Sequence, residues 1–142
     1  MIYIGIDTGV DTGYAEWSTV QRCFISVRTL KIHKAMSYVK DLHETHPGEV
    51  IVRIEDARLR KWFGTERMTR EEERTRLQGV GSVKRDAVVW EDFLHDIGVK
   101  FEMVAPRHNV TKLGSDQFKA YTKWAKRTSE HARDAAMLVF GL

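Results

Sequence analysis

The order of strand-like and helix-like patterns is the feature that most constrains the fold of this chain. Residues 2–7 alternate between isoleucine and small or polar side chains, which is the period of a strand. Two further strand patterns cover residues 13–20 and 22–30, with a turn between them at residues 19–22. We therefore predict that the fold opens with a meander of three antiparallel strands.

The patterns that follow alternate between helix and strand. Residues 31–45 place apolar side chains at helical spacing, and residues 48–56 form a β-branched run that is typical of a buried parallel strand. A fifth strand is predicted over residues 99–105, after a second helix. Helical crossovers between parallel strands are right-handed, which would place the fourth strand beside the first.

The second helix is predicted to be long. Thr69 and Glu72 have the spacing of a capping box, and the helical pattern runs from there to about Ile97. Gly79 and Gly81 in its middle are interpreted as positions of close packing. Because its apolar surface is wide, we expect residues 77–97 to cover the sheet and to contact a second subunit. The apolar positions are Val80, Val83, Ala87, Val89, Trp90, Phe93, Leu94 and Ile97.

Two short helices, over residues 115–125 and 131–142, complete the prediction. The expected class is therefore α/β, with a five-stranded mixed sheet of three antiparallel and two parallel strands flanked by helices. This element order is the plan of the ribonuclease H-like fold. Fold alone does not define function, which has to be argued from the residues of a site.

Composition limits the class of protein further. The 142 residues are 42% hydrophobic and 30% charged, which predicts a single globular domain over residues 1–142. No apolar run reaches the roughly 18 residues of a membrane span, and the first residues do not resemble a secretory signal. Cys23 is the only cysteine, which excludes an internal disulfide. We expect a cytoplasmic protein with no membrane partner.

Positive charge is concentrated in one segment. The net charge is +3, but residues 105–127 alone carry +5, with Asp116 as their one acidic residue. Clustered cations are typical of surfaces that bind nucleic acid, although solvated helices also have this composition. The basic residues of the segment are Arg107, Lys112, Lys119, Lys123, Lys126 and Arg127.

Two carboxylates end neighbouring parallel strands in this topology. Asp7 ends the first strand and Glu55 the fourth, and ligands of open α/β sheets gather at these strand ends. Carboxylates at adjacent strand ends repel unless a cation lies between them, and hard oxygen ligands suit Mg²⁺ or Mn²⁺. His131 and Asp134 share one face of the last helix and would complete the set. We predict a metal site.

Each member of this set also has a purely structural interpretation. Asp7 could begin a turn, and Glu55 could form an ion pair with Arg53 or Arg58. The two helical residues could be an exposed pair, with Glu130 as the acid that acts in the site. The prediction of a metal site depends on all of these positions meeting at one edge of the sheet.

The loop after the fourth strand combines aromatic and basic residues. Trp62 and Phe63 lie among Arg58, Arg60 and Lys61. Aromatic side chains flanked by cations can stack on unpaired bases or wedge between them while the cations hold phosphates. The alternative is that Trp62 anchors the loop to the core. We expect this loop to contact DNA.

Five segments occur in the order and approximate spacing of the RuvC family of Holliday-junction resolvases. They are GIDTGVDTGYA, IEDAR, LQGVGSVKR, APRHNVTKLGSDQFK and HARDAA, and together they span nearly the whole chain. Each motif is weak alone, whereas the ordered set is specific. The chain resembles this family, and it is shorter than typical bacterial members.

The resemblance implies a homodimeric, metal-dependent endonuclease that nicks two strands of a four-way DNA junction symmetrically. The metal-binding positions of the family fall on Asp7, Glu55, His131 and Asp134, with two Mg²⁺ or Mn²⁺ ions per site. His131 would be a ligand or a proton acceptor, because the family has either an acid or a histidine there. The resemblance also implies phosphate contacts near Lys112 and Lys119, and a bacterial or viral protein acting in the cytoplasm.

Two other functions fit the same residues. A related ribonuclease H-fold nuclease of the YqgF type, or a general branched-DNA or flap nuclease, would use the same carboxylates on a different nucleic acid. A DNA-binding module without catalytic activity would keep only the fold and the basic surface. Cleavage of RNA in preference to junctions distinguishes the first from a resolvase, and loss of all divalent-dependent nicking distinguishes the second.

Overall fold

A five-stranded mixed sheet forms the centre of the molecule. The computed structural model describes residues 1–59, 69–106 and 112–142. The strands lie in the order β3-β2-β1-β4-β5 across the sheet. They are β1 (Ile2–Asp7), β2 (Asp11–Ser18), β3 (Cys23–Lys31), β4 (Val50–Glu55) and β5 (Lys100–Val104).

Strand directions agree with the prediction. β1 is antiparallel to β2 and β2 to β3, whereas β4 is parallel to both β1 and β5. In the register of the parallel pair, Ile6 lies opposite Ile54, so the carboxyl ends of β1 and β4 meet at one edge of the sheet. The α/β class and the mixed five-stranded sheet flanked by helices are confirmed.

Helices cover both faces of this sheet. They are α1 (Ile32–Thr45), α2 (Arg70–Ile97), α3 (Ser115–Thr122) and α4 (Glu130–Met137), and a single 3₁₀ turn spans Ala57–Leu59. The predicted capping box begins α2: the Glu72 amide donates to Thr69 Oγ1 over 3.3 Å and the Thr69 amide donates to Glu72 Oε2 over 2.9 Å. Gly98 ends α2 in the left-handed conformation, with φ 73°. No helix within the described ranges is long and apolar enough to cross a membrane.

Several predicted element boundaries were wrong by two or more residues. β2 begins at Asp11 rather than residue 13, because Asp11 and Thr12 still pair with β3. α3 ends at Thr122 rather than residue 125, because Lys123 adopts the left-handed conformation with φ 64°. α4 ends at Met137, and turns rather than helix follow it.

The two faces of the sheet carry separate hydrophobic clusters. On one face, strand residues such as Ile4 and Ile54 pack against α1 and against Trp90 and Leu94 of α2. On the other face, Ala15 and Trp17 pack against α4 and Phe118 of α3. The predicted core stripe of α2 is therefore confirmed at its C-terminal half, where Ala87, Trp90 and Leu94 are fully buried.

Helix α4 approaches the sheet unusually closely. Its small side chains Ala132, Ala135 and Ala136 are fully buried. A Cβ atom on Gly5 would overlap the carbonyl oxygen of Ala135, and one on Gly13 would overlap that of His131. Backbone therefore packs directly on backbone, and glycine at these two strand positions sets where α4 lies.

The outward surface of α2 carries exposed apolar side chains, including Leu77, Val88 and Val89. Contact of this surface with a second subunit remains a prediction. The interpretation of Gly79 and Gly81 as positions of close packing is wrong for the described part of the chain. Nothing there lies within 4 Å of a Cβ built on either residue.

Candidate functional site

Asp7 and Glu55 occupy equivalent positions at the ends of adjacent parallel strands. Each directly follows an isoleucine, Ile6 or Ile54, that is fully buried in the cluster under α1 and α2. Because successive strand residues point to opposite faces, the two carboxylates belong to the face that carries α4. The sequence prediction that these two acids share one sheet edge is confirmed.

Because α4 packs close to the sheet, His131 lies next to Asp7. The hydroxyl of Ser129 caps the helix by accepting from the Ala132 amide over 3.1 Å, and the His131 carbonyl lies directly over Gly13, the strand partner of Asp7. The imidazole Nδ1 of His131 lies 2.8 Å from Asp7 Oδ2. A contact across 124 positions of the chain therefore depends on a glycine in β2.

All four predicted metal-binding residues line one cavity of about 580 Å³. Asp7 and Glu55 contribute from the strand ends, and His131 and Asp134 contribute from α4. The side chain of Asp7 is 16% exposed and that of Asp134 is 23% exposed, whereas the His131 side chain is 55% exposed. The three stretches of chain thus meet at one partly enclosed site.

The surroundings of Asp7 disfavour the charged form of its carboxyl, so its pKa is raised. Burial raises the pKa of the Asp7 carboxyl, because a charge loses hydration there, and the hydrogen bond to His131 lowers it by less. The nearby carboxylate of Asp134 raises the pKa of Asp7 further. A bound cation would relieve both effects, since it favours the charged form of each acid.

The candidate site contains a positively charged group of the protein itself, the ammonium of Lys112. Its ammonium Nζ lies 2.7 Å from Asp134 Oδ2 and 2.7 Å from Glu130 Oε1. The hydrogen bonds that Lys112 donates to these two carboxylates raise its pKa, and Lys112 in turn lowers the pKa of Glu130. Lys112, predicted as a phosphate contact, therefore lies inside the candidate site.

The same geometry bears on the choice between Glu130 and Asp134. Both acids hold Lys112, but the Glu130 side chain is 61% exposed and does not belong to the described cavity lining. Asp134 lines the cavity and acts electrostatically on Asp7. Asp134 is therefore the better placed of the two to serve the site.

The donor chemistry suits a hard divalent cation. Three carboxylates and one imidazole offer the oxygen-rich set that Mg²⁺ and Mn²⁺ bind. Over residues 1–59, 69–106 and 112–142, however, no three acidic, histidine or cysteine side chains already surround a common point where a metal could bind. With Lys112 paired to Asp134, ion binding requires this lysine to move and the carboxylates to draw together.

Arg58, predicted to contact DNA, is paired within the protein. Its guanidinium donates to Asp56 over distances of 2.7 to 3.0 Å and to Glu91 of α2 over 2.7 Å. Burial of Asp56 is outweighed by these hydrogen bonds, so the pKa of Asp56 is lowered. Arg58 thereby joins the end of β4 to α2, at the point where the predicted DNA-binding loop begins.

The other arginine considered as a partner of Glu55 is also paired. Arg53 donates through Nε to Glu102 over 2.9 Å and through Nη1 to the carbonyl oxygen of Leu138 over 2.7 Å. The second bond ties β4 to the residue that follows α4. This contact adds to the forces that hold α4 against the sheet.

The remaining predicted DNA contacts lie apart from the cavity or outside the described residues. Lys119 lies in α3 and the exposed Lys123 follows it, and neither belongs to the described cavity lining. The predictions that fall outside the described residues concern Arg60, Lys61, Trp62, Phe63 and Arg107.

Sequence reasoning missed the apolar part of the cavity wall. Leu113, Tyr121, Met137 and Leu138 line the same space as the acids. The helical spacing of Met137 and Leu138 after Asp134 was visible in the sequence. The positions of Leu113 and Tyr121 depend on how α3 folds back on the sheet, for which the sequence carries no local signal.

Comparison with known proteins assigns the chain to no family. No protein-family model matches the sequence, and no curated protein shows significant sequence similarity to it.

Proposed function

We propose that this protein is a metal-dependent endonuclease that resolves four-way DNA junctions by paired symmetric nicking, as RuvC-like resolvases do. The observation that carries the proposal is the meeting of Asp7, Glu55, His131 and Asp134 around one cavity. In the sequence, these four residues lie in three separate stretches of the chain. Their convergence on one cavity is what a two-metal phosphodiester-cleaving site requires.

The architecture supports a ribonuclease H-like assignment. The strand order β3-β2-β1-β4-β5 places the antiparallel meander beside two parallel strands, and α4 packs across β1 and β2. The candidate acids then lie at the carboxyl ends of the central strands, where open α/β sheets place their ligands.

The residues of the site take distinct roles in this proposal. Two divalent ions, when bound, would supply a nucleophilic water and stabilise the leaving 3′ oxygen. Asp7, which is flanked by both His131 and Asp134, would contribute to both ions, and Glu55 and Asp134 would each hold one. The contact between Asp7 and Nδ1 of His131 orients the imidazole, either as a ligand or as a proton acceptor.

Lys112 connects this site to the DNA backbone. Asp134 would hold a cation in place of the Lys112 ammonium, which like charge would repel, and Glu130, 2.7 Å from Lys112 in the structure, would keep the lysine near the cavity. The ammonium would then be free to contact a phosphate. Further contacts are proposed for the other predicted DNA-binding residues, which are Arg58, Arg60, Lys61, Trp62, Phe63, Arg107, Lys119 and Lys123.

A homodimer is part of the proposal, because symmetric nicking needs two sites. The exposed Leu77, Val88 and Val89 of α2 give that helix an apolar outer surface suited to a second subunit.

The proposal is tested with the Asp7→Asn variant on synthetic four-way junctions in Mg²⁺ or Mn²⁺. We expect Asp7→Asn to abolish nicking and to leave junction binding intact, because the amide keeps the shape of the side chain but not its charge. Asp41→Asn is the matched control: Asp41 is exposed on α1, which packs on the opposite face of the sheet, so this variant should nick normally.

Several outcomes would contradict the proposal. Substantial nicking by Asp7→Asn would show that the carboxylate does not hold the ions. Preferential cutting of RNA, flaps or forked DNA over four-way junctions would favour a related ribonuclease H-fold nuclease. If the wild-type protein binds junctions but nicks none of these substrates in the presence of divalent ions, the result would favour a non-catalytic DNA-binding module.

A further inference from the structure

The cavity that contains the candidate acids is larger than two metal ions and a phosphate require. Its volume is about 580 Å³, within the range of roughly 300–1,000 Å³ that is typical of small-molecule sites. Apolar side chains of Leu113, Met137 and Leu138 form part of its wall. The space next to the acids is therefore suited to a flat, weakly polar group.

Tyr121 gives this wall an aromatic surface that faces solvent. The residue belongs to α3, lines the cavity and is 62% exposed. An aromatic side chain with this exposure gains little from the protein core, since most of its surface remains in water. Its position at the cavity suggests that it gains contact from a ligand.

The ring of Tyr121 is supported from within the protein. Its centroid lies 5.0 Å from that of Phe140, and Phe140 in turn packs against Trp17 at 5.2 Å and Phe24 at 5.8 Å. This aromatic cluster limits the positions that the Tyr121 ring can take. An ordered ring loses little conformational freedom when another flat ring stacks on it.

We propose that the cavity holds an unstacked nucleobase of the strand being cut, adjacent to the scissile phosphate, and that Tyr121 stacks on that base. The inference rests on the proposed nuclease function, because the acids fix where the phosphate lies. Junction centres contain bases that unstack at low cost, and stacking on an aromatic ring accepts every base type. Tyr121 thus acts as a substrate-binding residue that positions the phosphate over the acids.

The test uses a four-way junction with 5-iodouracil beside the mapped cut, bound to the full-length protein in Ca²⁺ and irradiated. We expect a cross-link to Tyr121, located by mass spectrometry, that is lost in Tyr121→Leu and kept in Tyr121→Phe. In Mg²⁺, Tyr121→Leu should cut about tenfold more slowly, as loss of one base stack predicts, and Tyr121→Phe should cut normally.

An abasic junction separates stacking from structural damage. Removing the base beside the cut should slow the wild-type protein about tenfold and should not slow Tyr121→Leu further, because both changes remove the same contact. Tyr38→Leu is the control: Tyr38 of α1 is similarly exposed but lies on the opposite face of the sheet, so its cross-linking and cutting should match the wild type.

The failures of the two proposals are distinguishable. A cross-link to other residues, or wild-type cutting by Tyr121→Leu while Asp7→Asn is inactive, overturns the base-stacking inference and leaves the nuclease proposal standing. Absence of branched-DNA cutting by the wild-type protein overturns both.

Discussion

The two faces of the sheet are packed in different ways. Under α1 and α2, large side chains such as Ile4, Val52 and Trp90 fill the space between helix and strand. Under α4, glycine in the strands faces alanine in the helix, and backbone approaches backbone. The first arrangement buries large apolar side chains. The second places residues of α4 at a short distance from the strand ends.

This difference separates stability from the geometry of the site. Burying a large aliphatic side chain contributes about 1.5–3 kcal/mol, so side chains such as Ile4 and Val52 contribute mainly to stability. Gly5 and Gly13 contribute no such side-chain burial. They allow α4 to bring His131 within hydrogen-bonding distance of Asp7. Substitutions on the two faces should therefore have separable effects.

The largest loss of stability is expected on the α1 and α2 face. Leu94 is fully buried, so Leu94→Ala should lower the free energy of unfolding by about 2–5 kcal/mol through lost burial and a cavity. Metal binding should persist below the lowered unfolding midpoint. Urea titration measures the first effect and Mn²⁺ calorimetry the second.

The control for Leu94→Ala is Val20→Ala in the turn between β2 and β3. Val20 is 83% exposed, so its truncation should change stability by less than about 0.5 kcal/mol. Loss of Mn²⁺ binding by folded Leu94→Ala would show that the two faces are not independent.

A smaller loss of stability, with a larger effect on the site, is expected on the α4 face. Gly13→Ala places a methyl group against the His131 carbonyl, which should cost about 1–3 kcal/mol by overpacking. Because α4 must then move outward, the His131–Asp7 contact should break. The imidazole NMR chemical shifts of His131 should change relative to the wild type, since the ring loses its hydrogen-bond partner Asp7.

Gly81→Ala makes the same chemical change as Gly13→Ala but should change the stability in the opposite direction. A Cβ at Gly81 meets nothing within 4 Å in the described structure, and alanine is the better helix former. This variant should be more stable by about 0.5–1 kcal/mol and should leave His131 unchanged. A Gly13→Ala protein with wild-type stability and unchanged NMR chemical shifts of the His131 ring would refute the role of close packing.

The sequence was sufficient for the elements because their signals are local. Alternation in β1, the capping box of Thr69 and Glu72, and the glycine at position 98 each act over a few residues. The end of α3 was predicted too late, because Lys123 leaves the helical region although neither glycine nor proline stands there. The end of α4 was also predicted too late.

The site was only partly predictable, because some of its contacts join residues that are distant in the sequence. Strand ends and helical spacing sufficed to group Asp7, Glu55, His131 and Asp134. The pairing of Lys112 with Asp134, and of Arg58 with Asp56 and Glu91, depends on where loops pass in three dimensions. The sequence shows the charge and the position of such residues, but it does not show which partner lies close enough to form an ion pair.

Binding of Mn²⁺ at Asp7 and His131 tests the central claim most directly. In wild-type protein, sub-stoichiometric Mn²⁺ should broaden the imidazole NMR signals of His131 before those of His33, His43 and His46, which lie in or beside α1. In Asp7→Asn, the selective broadening of His131 should disappear, together with the binding heat. Equal Mn²⁺ affinity in both proteins, or broadening confined to the α1 histidines, would contradict the assignment of a cation site to this edge of the sheet.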